Sequence, residues 1–152
     1  MRDLLVAAAL VLVCAAIVVH RPSSGPTIRA SPTLTPGAIN PNVTQANIHE
    51  TICMRGWTKT IRPPFEYTNA LKVKQMRVYG ETGNPSDYQE DHLISLELGG
   101  HPTDPRNLWP EPYPRASEVD GIENDLNGKV CSGQMSLEGA QQRESELKHT
   151  DG

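Results

Sequence analysis

The sequence predicts an α+β protein: a small ββα core with flanking helices, preceded by an N-terminal hydrophobic helix and a disordered linker. Three observations predict it. Leu4 to Val19 is an unbroken apolar run of sixteen residues. Between residues 21 and 42, Pro, Ser, Thr and Gly supply 13 of 22 positions. Beyond them, two short strand-like stretches bracket a Gly- and Pro-rich loop, and apolar residues then recur at helical spacing.

The apolar run follows Arg2 and is closed by His20-Arg21-Pro22. A short positive segment before a hydrophobic stretch is the form of a signal peptide or signal anchor, assigned to residues 1–20. The run is slightly short for a full membrane span, which needs about 20 residues. It has no polar face, which argues against a buried core helix. Residues 21–42 hold too little apolar surface to offset the entropy of ordering and read as a flexible spacer. The folded domain is then residues 43–148. The chain is therefore expected to be exported, either secreted or anchored to the cell membrane facing outward.

Within that domain, Thr68 can cap a helix that runs to Tyr79 and stops at Gly80. Tyr88 to Leu93 reads as a strand, and residues 94–106 read as a long loop containing Gly99-Gly100. Asn107 to Trp109 reads as a second strand ended by Pro110 and Pro112. Ala116, Val119, Ile122 and Leu126 mark a helix from Ser117 to Asn127, with Gly128 as its stop. A last helix starts after Ser136 and reaches Lys148. Cys53 and Cys131 remain in the domain. In an oxidising compartment an even pair reads as one disulfide, closing a loop of 78 residues. Buried free thiols or a pair of metal ligands are the alternatives, but no CxxC spacing is present.

The chemistry concentrates in the middle. Asp91-His92 end the first strand, Gly99-Gly100 follow, and Asn107-Leu108 open the second. Asp120 and Asn124 lie four apart and so share a helical face, with Glu123 at its border. The stretch DHLISLELGGHPTDPRNLW resembles the core of HNH nucleases, the ββα-metal fold, over about residues 88–127. The flanking ICMRGWTKTIRPP is similar to small exported bacterial proteins bearing that core. The resemblance implies a metal-dependent endonuclease hydrolysing phosphodiester bonds of nucleic acid, DNA in preference to RNA. It assigns His92 as general base, Asp91 as a metal ligand and Asn107 as a catalytic-site residue. Asn124 is the favoured last metal ligand, with Asp120 as second choice. It implies one divalent metal ion, Mg or Mn, with Zn or Ni as alternatives, and no small-molecule cofactor. Ser95 stands where many relatives have Pro, and the family's paired CxxC ligands are absent.

Elementary chemistry agrees with these assignments. Phosphodiester hydrolysis needs a base for water and a cation for the phosphoryl charge. A hard carboxylate suits Mg²⁺ or Mn²⁺. Neutral imidazole accepts a proton near neutral pH. The Asn107 amide can hold the loop after His92, and Arg106 can contact a phosphate oxygen. Trp57 and Trp109 read as core anchors, and His101 as a loop histidine.

The net charge of −4 hides two opposed regions. Residues 54–79 hold Arg55, Lys59, Arg62, Lys72, Lys74 and Arg77 against Glu66, a balance of +5. Residues 80–125 hold eleven acidic residues against Arg106 and Arg115, a balance of −9. The first is either a track for a phosphate backbone or an ordinary solvated helix. The length excludes a large multi-domain enzyme. Two further functions fit the sequence: an HNH scaffold that binds without turnover, and a disulfide-stapled envelope protein with a structural role.

Overall fold

The computed structural model describes residues 28–152. The apolar leader and the first part of the spacer lie outside the described residues. No helix among the described residues is long and apolar enough to cross a membrane.

The second half of the spacer departs from expectation. Residues 28–42 form an ordered strap across the domain. The Ala30 amide donates to the Lys148 carbonyl at 2.8 Å, Gly37 to Arg106 at 2.9 Å and Asn40 to Gly99 at 2.8 Å. Ile39 bridges Gly100, and the Thr35 side chain is wholly buried against the Tyr79 hydroxyl at 2.7 Å. Composition counts apolar side chains. This strap is held largely through backbone groups and one buried hydroxyl, which composition does not weigh.

After a 3₁₀ segment at Gln45–Glu50 come α1 (Trp57–Ile61) and α2 (Phe65–Tyr79). Helix α2 begins three residues before Thr68, directly after Pro64, and ends where expected, with Gly80 left-handed at φ 76°. Strands β1 (Tyr88–His92) and β2 (Leu108–Pro112) pair antiparallel, Asp91 opposite Trp109 and His92 opposite Leu108. Pro110 and Pro112 do not end β2. Leu93 donates to Asn107 and Tyr113 to Asp87, so the hydrogen-bonded pairs fall at odd positions. The prolines take the alternate positions, where their missing donors face away from β1.

Helix α3 (Arg115–Cys131) runs past Gly128. A helical glycine costs only about 1 kcal/mol. Burial of Leu126 and Val130 on either side of it, and the bond from Cys131 to Cys53, outweigh that cost. Helix α4 (Leu137–Thr150) starts at the expected Ser136, whose hydroxyl accepts from the Gly139 amide at 3.1 Å.

The main core joins Ile48, Ile94, Leu98, Leu126, Val130 and Ala140. Trp57 packs against its edge. A smaller cluster sets the fully buried Trp109 with Leu93, Ala30 and Tyr79. The Cys53–Cys131 disulfide, with 5.6 Å between Cα atoms, ties the start of the domain to the end of α3. Closing its 78-residue loop removes unfolded-state entropy equivalent to about 4–5 kcal/mol on the chain-entropy model.

Candidate functional site

His92 ends β1 and is buried. Its Nε2 lies 3.1 Å from the Pro102 carbonyl oxygen. A carbonyl only accepts, so Nε2 carries the hydrogen and Nδ1 of the neutral ring is the acceptor. Burial lowers the His92 pKa, against the opposing pull of Asp91 and the Pro102 hydrogen bond. The imidazole is therefore neutral at neutral pH, with one tautomer fixed.

Asn107 precedes β2, in a short 3₁₀ turn rather than in the strand, and is wholly buried. Its Nδ2 donates to the Ile94 carbonyl at 2.9 Å and the His101 carbonyl at 3.1 Å. Its Oδ1 accepts from the Ile94 amide at 3.0 Å and the Ala38 amide at 3.3 Å. One amide thus ties the strap, the segment after His92 and the loop beyond Gly99-Gly100. The glycine pair makes this possible. A Cβ on Gly100 would fall 1.7 Å from the Ile94 oxygen and 2.8 Å from Asn107 Nδ2, while Gly99 takes φ 74°. His101 Nδ1 accepts from the Asp104 amide at 3.0 Å, bracing the same loop.

Asp91, His92, Asp120 and Asn124 are brought together around one cavity of about 200 Å³. Glu123, Ser95 and Arg62 also line it. Asp120 and Asn124 lie one helical turn apart on α3 and are exposed, and Asn124 Nδ2 donates back to the Asp120 carbonyl. Although Asp120 is largely exposed, partial desolvation at the cavity wall raises its pKa, and the Asp91 charge adds to this.

Arg106 is not brought there. Its guanidinium is spent on Asp104, at 2.6 Å and 3.0 Å, and borders a separate groove with residues 36–39. The short turn that buries Asn107 points Arg106 the other way. Arg62, which caps the end of α1, supplies the cation instead. The basic stretch it belongs to is no uniform track, since Lys72 is buried with its Nζ on the Tyr88 carbonyl at 2.9 Å.

Behind Asp91 stands a group with no sequence signal. Lys148, wholly buried on α4, donates to Asp91 Oδ2 at 2.7 Å, Glu123 Oε1 at 2.7 Å and the His92 carbonyl at 2.6 Å. Glu144 lies 3.6 Å away and accepts the Ser95 amide on both oxygens, at 3.1 and 2.9 Å. Burial works against the Lys148 charge, but the surrounding carboxylates raise its pKa well above the ordinary value. Burial likewise opposes ionisation of Asp91, yet the Lys148 ammonium beside it holds it down at about 2. One ammonium cannot neutralise four carboxylates, so protons take up the surplus. Burial and the Asp91 charge push Glu111 up to about 9. Both of its oxygens are buried without a hydrogen-bond partner, which favours the neutral carboxyl. Burial pushes Glu123 and Glu144 upward in the same way.

A Glu144–Lys148 pair four residues apart reads in sequence as an exposed helix pair. Only packing of α4 behind β1 reveals its role. Among the described residues, no group of three or more His, Cys, Asp or Glu side chains is arranged as a metal cage. The oxygen donors of Asp91, Asp120 and Asn124 suit a hard cation. Mg²⁺ commonly takes one or two carboxylates and completes its shell with water and substrate phosphate. Asp91 Oδ2 already meets Lys148 and Oδ1 meets Gln89 Nε2 at 3.1 Å. A carboxylate has about four lone-pair sites, so capacity remains.

Comparison with protein-family models, with curated proteins and with solved structures gives no match.

Proposed function

We propose that this chain is a metal-dependent HNH-type endonuclease that hydrolyses phosphodiester bonds of nucleic acid, with DNA preferred. The observation that carries the reading is His92. It is a neutral imidazole of fixed tautomer, at the end of the first strand of a ββα unit. It lines a polar cavity with Arg62, Asp91, Asp120 and Asn124.

His92 Nδ1 takes a proton from water. The water oxygen forms a bond to phosphorus, and the bond to the leaving oxygen breaks. The leaving oxygen takes a proton from solvent, and His92 returns its own to bulk water. Asn107 keeps the His92 loop in register. Arg62 draws the phosphate into a region that the sequence makes acidic. Protonation of Glu111, and of Glu90, whose pKa burial pushes up to about 8, lowers the negative charge there. Asp91, Asp120 and Asn124 would hold one divalent cation, Mg²⁺ or Mn²⁺ by donor type. When bound it supplies charge neutralisation at the scissile phosphate and the leaving oxygen. Export places this activity outside the cytoplasm, in secreted or membrane-anchored form.

The test incubates the purified full chain with plasmid DNA and with RNA, under Mg²⁺, Mn²⁺, Zn²⁺ and Ni²⁺ in turn. Cleavage is expected with at least one metal and is lost in His92→Ala with the circular dichroism spectrum retained. Cleavage that persists in His92→Ala, or no cleavage with any metal, overturns the proposal. A second reading, a nucleic-acid-binding scaffold without turnover, is favoured by one observation: Lys148 and Gln89 satisfy Asp91 with no added cation. It predicts salt-sensitive binding that survives His92→Ala and no cleavage by the parent chain.

A further inference from the structure

A second cavity, of about 370 Å³, shares Arg62, Gln89, Asp91 and His92 with the first and extends to Pro63, Phe65 and Thr68. We propose that it is a nucleobase subsite, in which Phe65 stacks on an unpaired base while Arg62 holds the adjoining phosphate, so that single-stranded nucleic acid is the preferred ligand. The proposal rests on the nucleic-acid reading above and narrows its substrate.

Phe65 is the one phenylalanine in the chain, and it is 72% exposed. It makes no contribution to either buried core cluster. The aromatic is nevertheless held on a rigid mount. Pro63 and Pro64 precede it, and it is the first residue of α2. The Tyr67 hydroxyl donates to the Thr103 carbonyl, and Gln75 Nε2 to the Pro105 carbonyl at 2.9 Å. Both bonds fasten α2 to the loop whose Pro102 carbonyl orients His92. The helix backbone that carries the ring is thus already in place when a ligand arrives.

The chemistry of the lining selects the occupant. Aromatic faces bind nucleobases with little regard to sequence, and arginine adds the phosphate contact. The cavity lies within the range of about 300–1,000 Å³ usual for small-molecule sites, enough to admit one base. A duplex hides both faces of its bases, so one stacking face at a cavity rim favours a base that is already unstacked. Glu90 also lines the cavity. Asp91 is neutralised by Lys148. With Asp91 paired to Lys148, Arg62 is the cavity's guanidinium left to meet an incoming phosphate.

The test measures fluorescence anisotropy of a labelled single-stranded oligonucleotide, and of its duplex, with the full chain in EDTA. The chain is expected to bind the single strand more tightly. Phe65→Ala should weaken single-strand binding about 5- to 150-fold, the range for loss of one stacked base, and leave duplex binding unchanged. Phe65→Trp should retain binding, and its added tryptophan emission should fall on titration. Equal loss on both ligands, unchanged single-strand affinity in Phe65→Ala, or no binding at all overturns the subsite. The nuclease reading fails separately: binding through Phe65 without cleavage under any metal leaves the subsite standing, and cleavage without a Phe65 effect removes the subsite alone.

Discussion

Lys148→Met removes the one cation buried among Asp91, Glu123 and Glu144 while keeping a long unbranched side chain. Its ammonium makes three contacts of 2.6–2.7 Å and is wholly buried. Removing one partner of a buried ion pair costs about 3–5 kcal/mol, because the other charge is left uncompensated. For a folded unit of this size that corresponds to a fall in Tm of about 10–20 °C. The loss depends on pH. In the parent chain the Asp91 pKa is held near 2, below its unfolded value, so its stabilising share is present above about pH 4 and lost only toward acid. Without Lys148, burial raises the Asp91 pKa above the unfolded value. Its contribution then declines as pH rises. The gap between parent and variant therefore widens from pH 5 to pH 8. Thermal unfolding of the full chain, followed by circular dichroism at both pH values, measures it. A Tm within about 3 °C of the parent at both values would refute the buried-cation argument.

Asn107→Ala deletes a side chain with four hydrogen bonds and strands the Ile94 and Ala38 amides and two carbonyls. A loss of about 2–4 kcal/mol is expected, with faster amide exchange at Ile94 and, below the melting range, a fall in kcat larger than any change in KM. Unaltered exchange at Ile94 would contradict the stapling role. For His92, burial lowers the pKa, and the base must be neutral to act. The acid limb of kcat/KM should therefore lie below about pH 6.5, activity being present above it and lost as pH falls through it. An acid limb centred above pH 7 would exclude this histidine as the base.

Much of the candidate site was legible in sequence because its parts depend on local geometry. A short strand presents Asp91-His92 at its end. Gly99-Gly100 allows a close backbone approach. The four-residue spacing of Asp120 and Asn124 puts them on one face. The structure brings Asp91, His92, Asp120 and Asn124 to one cavity. Arg106 failed for a local reason as well: Asp104, two residues away, takes its guanidinium. Low apolar content does not exclude ordering at residues 28–42, because backbone hydrogen bonds hold that strap.

By itself, the sequence determined the order of α2, β1, β2, α3 and α4 but not α1, the Ser136 and Gly80 helix signals and the residues of the candidate base and its staple. It also offered the Cys53–Cys131 pair. These follow from chain-local rules of periodicity, capping and backbone freedom. Tertiary structure alone decided which charges are buried. Lys148 lies 57 residues from Asp91, and Glu144 lies 49 from Ser95, so no local pattern marks either contact. It also decided that Lys72 leaves the basic surface, that Arg62 rather than Arg106 faces His92, and that Phe65 stands exposed beside it. The physical reason is the same in each case. The charge state and reach of an ionisable group depend on its neighbours in space, and those neighbours come together only when the distant helices pack against the sheet.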